Sequence, residues 1–284
     1  MVKRTDYGEN AVSAARSVLI ELAHLLGEYR DQFVIVGGWM PELLIDHPGE
    51  LHVGSLDVDI ALDHRNVPEE AYRTLQELLL ARGYAQGKQP FIFHRSVRDV
   101  VVQVDFLSGE YGGTGGARRH QPFQDLKARK ARGADLAFEL NTTLEITGEL
   151  PGGGRDRVKV KVASIVSFIV MKAEALKGRL KEKDAWDIDF CLRHFAGGLD
   201  AIVEAFRPHA ANKLVQEALA ILSEKFESVD SVGPTFIANF DELDDPEDRE
   251  LRQRDAYERI QYFGSVRNSS PPMPNRYALR SLIG

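Results

Sequence analysis

Three aspartates in this 284-residue chain are spaced for metal chemistry. In a β-strand residues two apart share a face, so Ser55, Asp57 and Asp59 project to one side while Leu56, Val58 and Ile60 turn toward a core. A second β-branched stretch repeats the geometry, with Val100, Val102, Val104 and Phe106 on one face and Gln103 and Asp105 on the other. If the two strands are neighbours, Asp105 joins Asp57 and Asp59. Carboxylates side by side repel unless a cation lies between them. Three of them on a sheet surface make a hard-oxygen site for Mg²⁺ or Mn²⁺, one that keeps several waters and is completed by substrate phosphates. Such a site suits phosphoryl transfer, with one metal at the attacking hydroxyl and another at the leaving pyrophosphate. An Asp-x-Asp pair is also an ordinary decoration of solvated sheets, and the pair alone does not separate the two readings.

Two further features bear on that choice. Gly37 and Gly38 lie between a short apolar strand, Phe33 to Val36, and a short helix running to about Ile45. A glycine turn that opens a helix leaves backbone N–H groups free with no Cβ in the way, so it can hold a triphosphate; it can also serve tight packing alone. Farther on, Ile165, Phe168, Ile169, Ala175 and Leu176 fall on one helical stripe with Lys172 and Arg179 in its middle. Ser167, Glu174, Lys177 and Lys181 fall opposite. A cation aimed into an apolar face needs an anionic partner. The next helix offers Asp184 and Asp187 on a stripe with Ile188, Cys191 and Phe195, and turns Asp189 and Arg193 outward. Inward bases followed by inward acids describe either an interhelical salt-bridge network or the polar wall of a nucleotide site.

The order Gly-Gly, helix, Ser-x-Asp-x-Asp and a third Asp on a later strand resembles the polymerase-beta-like nucleotidyltransferase superfamily, and within it the AbiEii-type abortive-infection toxins. The resemblance spans roughly residues 33–195. It implies a nucleoside triphosphate (NTP) as substrate, Mg²⁺ or Mn²⁺ held by Asp57, Asp59 and Asp105, and transfer of a nucleoside monophosphate to an acceptor. The run Lys172 to Ala175, Arg179 and Lys183-Asp184-x-x-Asp187 resembles the second block of that family. It implies that Lys172 contacts phosphate, that Asp184 or Asp187 orients the phosphate or the acceptor, and that Gly37, Gly38, Ser55, Arg179 and Lys183 bind nucleotide. The family further implies toxin action on tRNA or another cellular target, within a toxin–antitoxin or phage-defence system that includes a cognate antitoxin. Two features depart from the pattern. Trp39 follows the glycines where a small residue is commoner, and 18 residues separate Gly38 from Asp57, a gap containing His47, Pro48, Gly49 and Gly54 that reads as an inserted loop.

The elements that position these residues form an α/β (α+β) chain. An amphipathic helix is predicted over residues 10–29, strands over 33–36, 56–62 and 100–107, and a helix at about 69–82. A hairpin is predicted around Pro151-Gly152-Gly153-Gly154, and from Ala163 onward the pattern is helical with breaks near Gly197-Gly198, Pro208 and Gly233-Pro234. This divides into a nucleotidyltransferase-like mixed sheet with flanking helices over 1–135 and a hairpin plus mainly helical module over 136–284. The chain is long enough to bury a full core without staples.

The single cysteine, Cys191, permits no internal disulfide, and no run is apolar enough for a signal core or a membrane span, so a cytoplasmic protein is expected. A net charge of -7 argues against a surface that traps nucleic acid everywhere. A local basic run, Arg118, Arg119, His120, Lys127, Arg129, Lys130 and Arg132, is either a solvated face or a groove for tRNA or other RNA. The competing functions are nucleotidylation of a small, aminoglycoside-like molecule and a non-catalytic nucleotide-binding or antitoxin-like module. His94 and His194 have no second His or Cys at metal spacing and read as packing or surface residues.

Overall fold

The computed structural model describes residues 1–29, 31–45, 50–63, 69–109, 120–123 and 126–265. Arg118 and Arg119 of the basic run lie outside the described residues, and His120 and Lys127 are described in backbone only. The strands are β1 (Phe33–Val36), β2 (Asp57–Leu62), β3 (Tyr84–Gln86), β4 (Ile92–Val97), β5 (Val100–Ser108), β6 (His120–Phe123), β7 (Leu126–Lys130), β8 (Asn141–Glu149) and β9 (Arg155–Ala163). They form one mixed sheet in the order β3-β4-β5-β2-β1-β9-β8. β7 pairs with the last residues of β5 beyond the end of β4 and carries β6 on its outer edge. The β2–β5, β1–β9 and β5–β7 pairs are parallel, and the others are antiparallel.

The helices are α1 (Glu9–Leu25), α2 (Met40–Leu44), α3 (Glu69–Ala81), α4 (Ala134–Glu139), α5 (Ile165–Arg179), α6 (Glu182–His194), α7 (Gly198–Phe206), α8 (Lys213–Lys225), α9 (Val232–Phe240) and α10 (Pro246–Phe263). α1 packs across β5, β8 and β9 and buries Val18, Leu19, Ile20 and Leu22 completely, each stabilising the fold by roughly 1.5–3 kcal/mol. Its one buried acid, Glu21, accepts from Tyr84 Oη at 2.8 Å and Arg95 Nε at 2.9 Å. α5 is started by Ser164, whose Oγ accepts from Ser167 N, and it packs against α6 and α8; α6 in turn packs against α9. Among the described residues no helix is long and apolar enough to cross a membrane.

The α+β architecture predicted above is what forms, with differences in detail. The hairpin β8–β9 belongs to the sheet, because Ile35 of β1 pairs with Val162 of β9, so the sheet continues across the 135/136 division. Two strands, β6 and β7, form within the basic run, where the only alternation, Leu126 and Ala128 with Lys127 and Arg129, is too short and weakly apolar to announce them. The break expected near Gly233-Pro234 falls just before them, between α8 and α9, and the two residues occupy the first turn of α9, where proline costs no hydrogen bond. Asp189, predicted to face outward, is wholly buried against Arg252 (2.7 Å) and Arg259 of α10, because α10 covers that side of α6. Ser167, also predicted outward, is buried and donates to Leu140 O at 2.8 Å.

Candidate active site

The sheet register builds the site. Asp59 lies opposite Asp105 and Asp57 opposite Gln103 on the parallel pair β2–β5, so all four side chains share one face. The other face carries Val58, Ile60, Val102, Val104 and Phe106, all wholly buried. Ser55 Oγ donates to Asp57 Oδ1 at 2.6 Å, and Gln103 Nε2 donates to Asp105 Oδ2 at 3.1 Å. Trp39, the departure noted in the sequence, donates its indole N–H to the backbone oxygen of Asp57 at 2.8 Å and so anchors the start of β2. Burial, with Asp57 and Asp105 alongside, pushes the Asp59 carboxyl up to about 8 against the opposing charges of Arg129 and Arg179. Burial also raises Asp105, opposed by Arg129 and the Gln103 hydrogen bond. Asp105 Oδ1 is buried with no hydrogen-bond partner.

The glycine turn is wrapped onto these acids. Gly37 has φ 77°, and a Cβ there would lie 2.0 Å from Asp59 Oδ2. A Cβ on Gly38 would lie 2.5 Å from Ser55 Oγ. Glycine is therefore required twice, once for backbone conformation and contact, once for contact alone. The helix it opens is short: Gly37–Trp39 make one 3-10 turn that runs into the five residues of α2.

Over this face stand α5 and α6, leaving a cavity of about 400 Å³. Gly37, Gly38, Ser55, Asp57 and Asp59 form one wall and Lys172, Arg179, Lys183 and Asp184 another; Tyr7, Phe168, Met171, Glu174 and Arg129 are among the other lining residues. Asp105 and Asp187, both buried, do not line it. Lys172 Nζ bridges Asp184 Oδ1 at 2.9 Å and Asp187 Oδ2 at 2.7 Å. Arg179 grips Asp184 through Nε at 2.7 Å and Nη2 at 2.8 Å, and is itself half exposed. Lys183 Nζ contacts both oxygens of Asp187, at 2.7 and 3.0 Å, and lies under Gly38. Leu180, at φ 48°, ends α5 and turns the chain so that Asp184 returns to Lys172 and Arg179.

The charges within this network settle each other. Burial would raise Asp187, but Lys172 and Lys183 hold its carboxyl below the usual range. Asp184 is likewise lowered, by Lys172 and Arg179 against burial. Lys172 is raised despite burial because two carboxylates flank it. Lys183 is lowered by burial and by Lys172, with Asp187 opposing.

Sequence reasoning missed three members of the site. His52, in the gap read as an inserted loop, is buried and contacts Asp187 Oδ1 through Nε2 at 2.9 Å while Gly54 N donates to its Nδ1 at 3.0 Å. Accepting at Nδ1 leaves the proton on Nε2, so a neutral ring donates to Asp187. Tyr7 reaches the cavity from the N-terminal segment, with Lys183 Nζ 5.2 Å from its ring centre. Arg129 enters from β7. Only the charge of Arg129 was visible in the sequence; neither His52 nor Tyr7 carries a local signal.

The basic run does not form a single outward face where it is described. Arg129 and Lys130 border the cavity, and Arg132 donates to Glu217 at 2.9 Å. His194, as expected, is a packing and surface residue, paired with Glu50 at 3.2 Å.

Asp57, Asp59 and Asp105 fit a hard divalent cation by donor type, since all supply carboxylate oxygen and Asp105 Oδ1 lacks a partner. Among the described residues no three acidic, histidine or cysteine side chains form a ready-made cage. A Mg²⁺ site seldom needs one, because water and phosphate complete its shell.

No family model matches the chain, and no curated protein does. Among solved structures it is similar to JHP933 from Helicobacter pylori, at 11% identity and a TM-score of 0.43, over 92% of this chain and 94% of that one.

Proposed function

We propose that this chain is a metal-dependent nucleotidyltransferase that moves a nucleoside monophosphate from an NTP onto an acceptor hydroxyl. In that reaction a bond forms between the acceptor oxygen and the α-phosphorus, and the α–β bridging bond breaks to release pyrophosphate. The observation that carries the reading is the turn Gly37-Gly38, closed so tightly on Asp59 and Ser55 that any side chain would collide, at the wall of a cavity whose opposite side is cationic. A turn needed only for packing has no reason to be pressed against a carboxylate, and against the serine that holds the next one, at the wall of an open cavity.

Asp57, Asp59 and Asp105 would hold Mg²⁺ or Mn²⁺, which when bound supplies Lewis-acid polarisation of phosphoryl oxygens and of the acceptor hydroxyl. Ser55 orients Asp57 through its 2.6 Å hydrogen bond. Lys183 and the exposed half of Arg179 offer positive charge to the phosphates, while Asp184 holds both Lys172 and Arg179 in place. Asp187 is enclosed, so it acts as a positioning residue through Lys172, Lys183 and His52.

RNA, tRNA in particular, remains the proposed acceptor on the family resemblance, with toxin-like action and a cognate antitoxin as its corollaries. The described part of the basic run gives this acceptor less support than its charge suggested, because those cations face the cavity or Glu217.

The test is incubation with each α-³²P-labelled NTP in Mg²⁺ or Mn²⁺, against pooled tRNA and against aminoglycosides. Label on tRNA that disappears in Asp57→Ala supports the proposal. Label on an aminoglycoside alone selects the small-molecule reading. Calorimetric binding of NTP with no transfer under any condition selects a non-catalytic nucleotide-binding module.

A further inference from the structure

We propose that Arg129 is the cation that grips the polyphosphate tail of the nucleotide, an inference that rests on the nucleotidyltransferase reading of the cavity. Its place follows from register. β7 runs parallel to β5 with Arg129 opposite Leu107, two positions beyond Asp105 on the face that also carries Asp57 and Asp59. Leu107 and Arg129 both border the cavity. Arg129 Nε is buried and meets no hydrogen-bond acceptor. A guanidinium N–H removed from water without an acceptor is costly, and the cavity is the side from which an acceptor can arrive.

The charge distribution points the same way. Asp57, Asp59 and Asp105 repel a polyphosphate wherever a metal does not screen them, so the anion needs a cation on this face of the sheet as well as on α5 and α6. Arg179, across the cavity, already gives Nε and Nη2 to Asp184. Arg129 lies close enough to Asp59 and Asp105 for its charge to oppose the rise in both their pKa values. A planar guanidinium also matches two phosphate oxygens at once, which an ammonium does not.

The experiment is calorimetric titration of inorganic tripolyphosphate in Mg²⁺ buffer into the wild-type protein, Arg129→Gln and Arg129→Lys, with melting curves and the transfer assay on each. Binding by the wild type that weakens about tenfold or more in Arg129→Gln and by less in Arg129→Lys, with melting near wild type, is the expected result. Equal affinity in wild type and Arg129→Gln overturns the proposal. So does no tripolyphosphate binding by the wild type, or a loss of affinity that appears only with a matching loss of melting temperature. A wild type that transfers nucleotide while Arg129→Gln transfers equally well removes Arg129 and leaves the proposed function standing. A wild type that binds tripolyphosphate through Arg129 but transfers nothing removes the proposed function and leaves the anion site.

Discussion

Asp59 combines a half-buried, poorly solvated carboxylate, two acidic neighbours and a glycine turn held against its Oδ2. Without a cation this arrangement is electrostatically unfavourable, so removing the acid should cost the fold little while removing a metal ligand. Asp57→Ala and Asp59→Ala are expected to abolish transfer, with Asp59→Ala melting no lower than wild type in chelator. Radiolabel transfer and circular-dichroism melts check both halves. Near-normal turnover in either variant would show that the metal assignment is mistaken.

Two elements set the geometry of the walls. At the turn, Gly38→Ala needs no unusual backbone, since φ at Gly38 is not positive, and its difficulty is the 2.5 Å approach to Ser55 Oγ. Gly38→Ala is therefore expected to destabilise by about 1–3 kcal/mol through overpacking, and adding Ser55→Ala should recover part of that loss. Urea denaturation of the single and double variants measures the recovery; equal stabilities would mean that the strain lies elsewhere. Between α5 and α6, Lys172 has two carboxylate partners within 2.9 Å. Lys172→Met keeps the stem packing and deprives Asp184 and Asp187 of a shared cation, so a loss of roughly 3 kcal/mol or more is expected. Single-turnover transfer measured well below the melting point then tells whether Lys172 also serves the nucleotide. Unchanged melting with transfer reduced by orders of magnitude would assign it to substrate rather than to architecture.

At the scale of the whole molecule, His52 ties the approach to β2 to the helical half, packing on Trp186 and Phe190 of α6 and donating to Asp187. Burial, with Lys183 nearby, lowers its pKa from 6.5 to about 4 even though the Asp187 hydrogen bond works the other way. Because the folded value lies below the unfolded one, the unfolded chain takes up the proton first as pH falls. The stability that neutral His52 contributes is thus complete above pH 6.5 and is lost on the way down to pH 4, by roughly 3 kcal/mol in total. A His52→Gln variant should show a shallower fall in stability across that window in pH-dependent urea melts. Parallel curves for the two proteins would contradict the buried neutral imidazole.

Local periodicity was enough to identify what lies along a single element. The alternation Ser55-x-Asp57-x-Asp59, the second alternation ending at Asp105, the glycine pair and the inward stripe of Lys172, Asp184 and Asp187 were all legible, because strand and helix periods are properties of neighbouring residues. What remained were pairings between distant segments. Whether Asp105 lies beside Asp59 depends on β5 choosing β2 as its parallel neighbour, and whether Arg129 faces a cavity or solvent depends on β7 joining the end of β5. Asp189 looked outward because α6 viewed alone has a polar side there; α10, about 60–70 residues later, supplies Arg252 and Arg259 to bury it. The place of His52 was likewise decided by an aspartate 135 residues away. Side-chain direction within an element follows from local backbone geometry, whereas the partner it meets is selected by the packing of the whole chain.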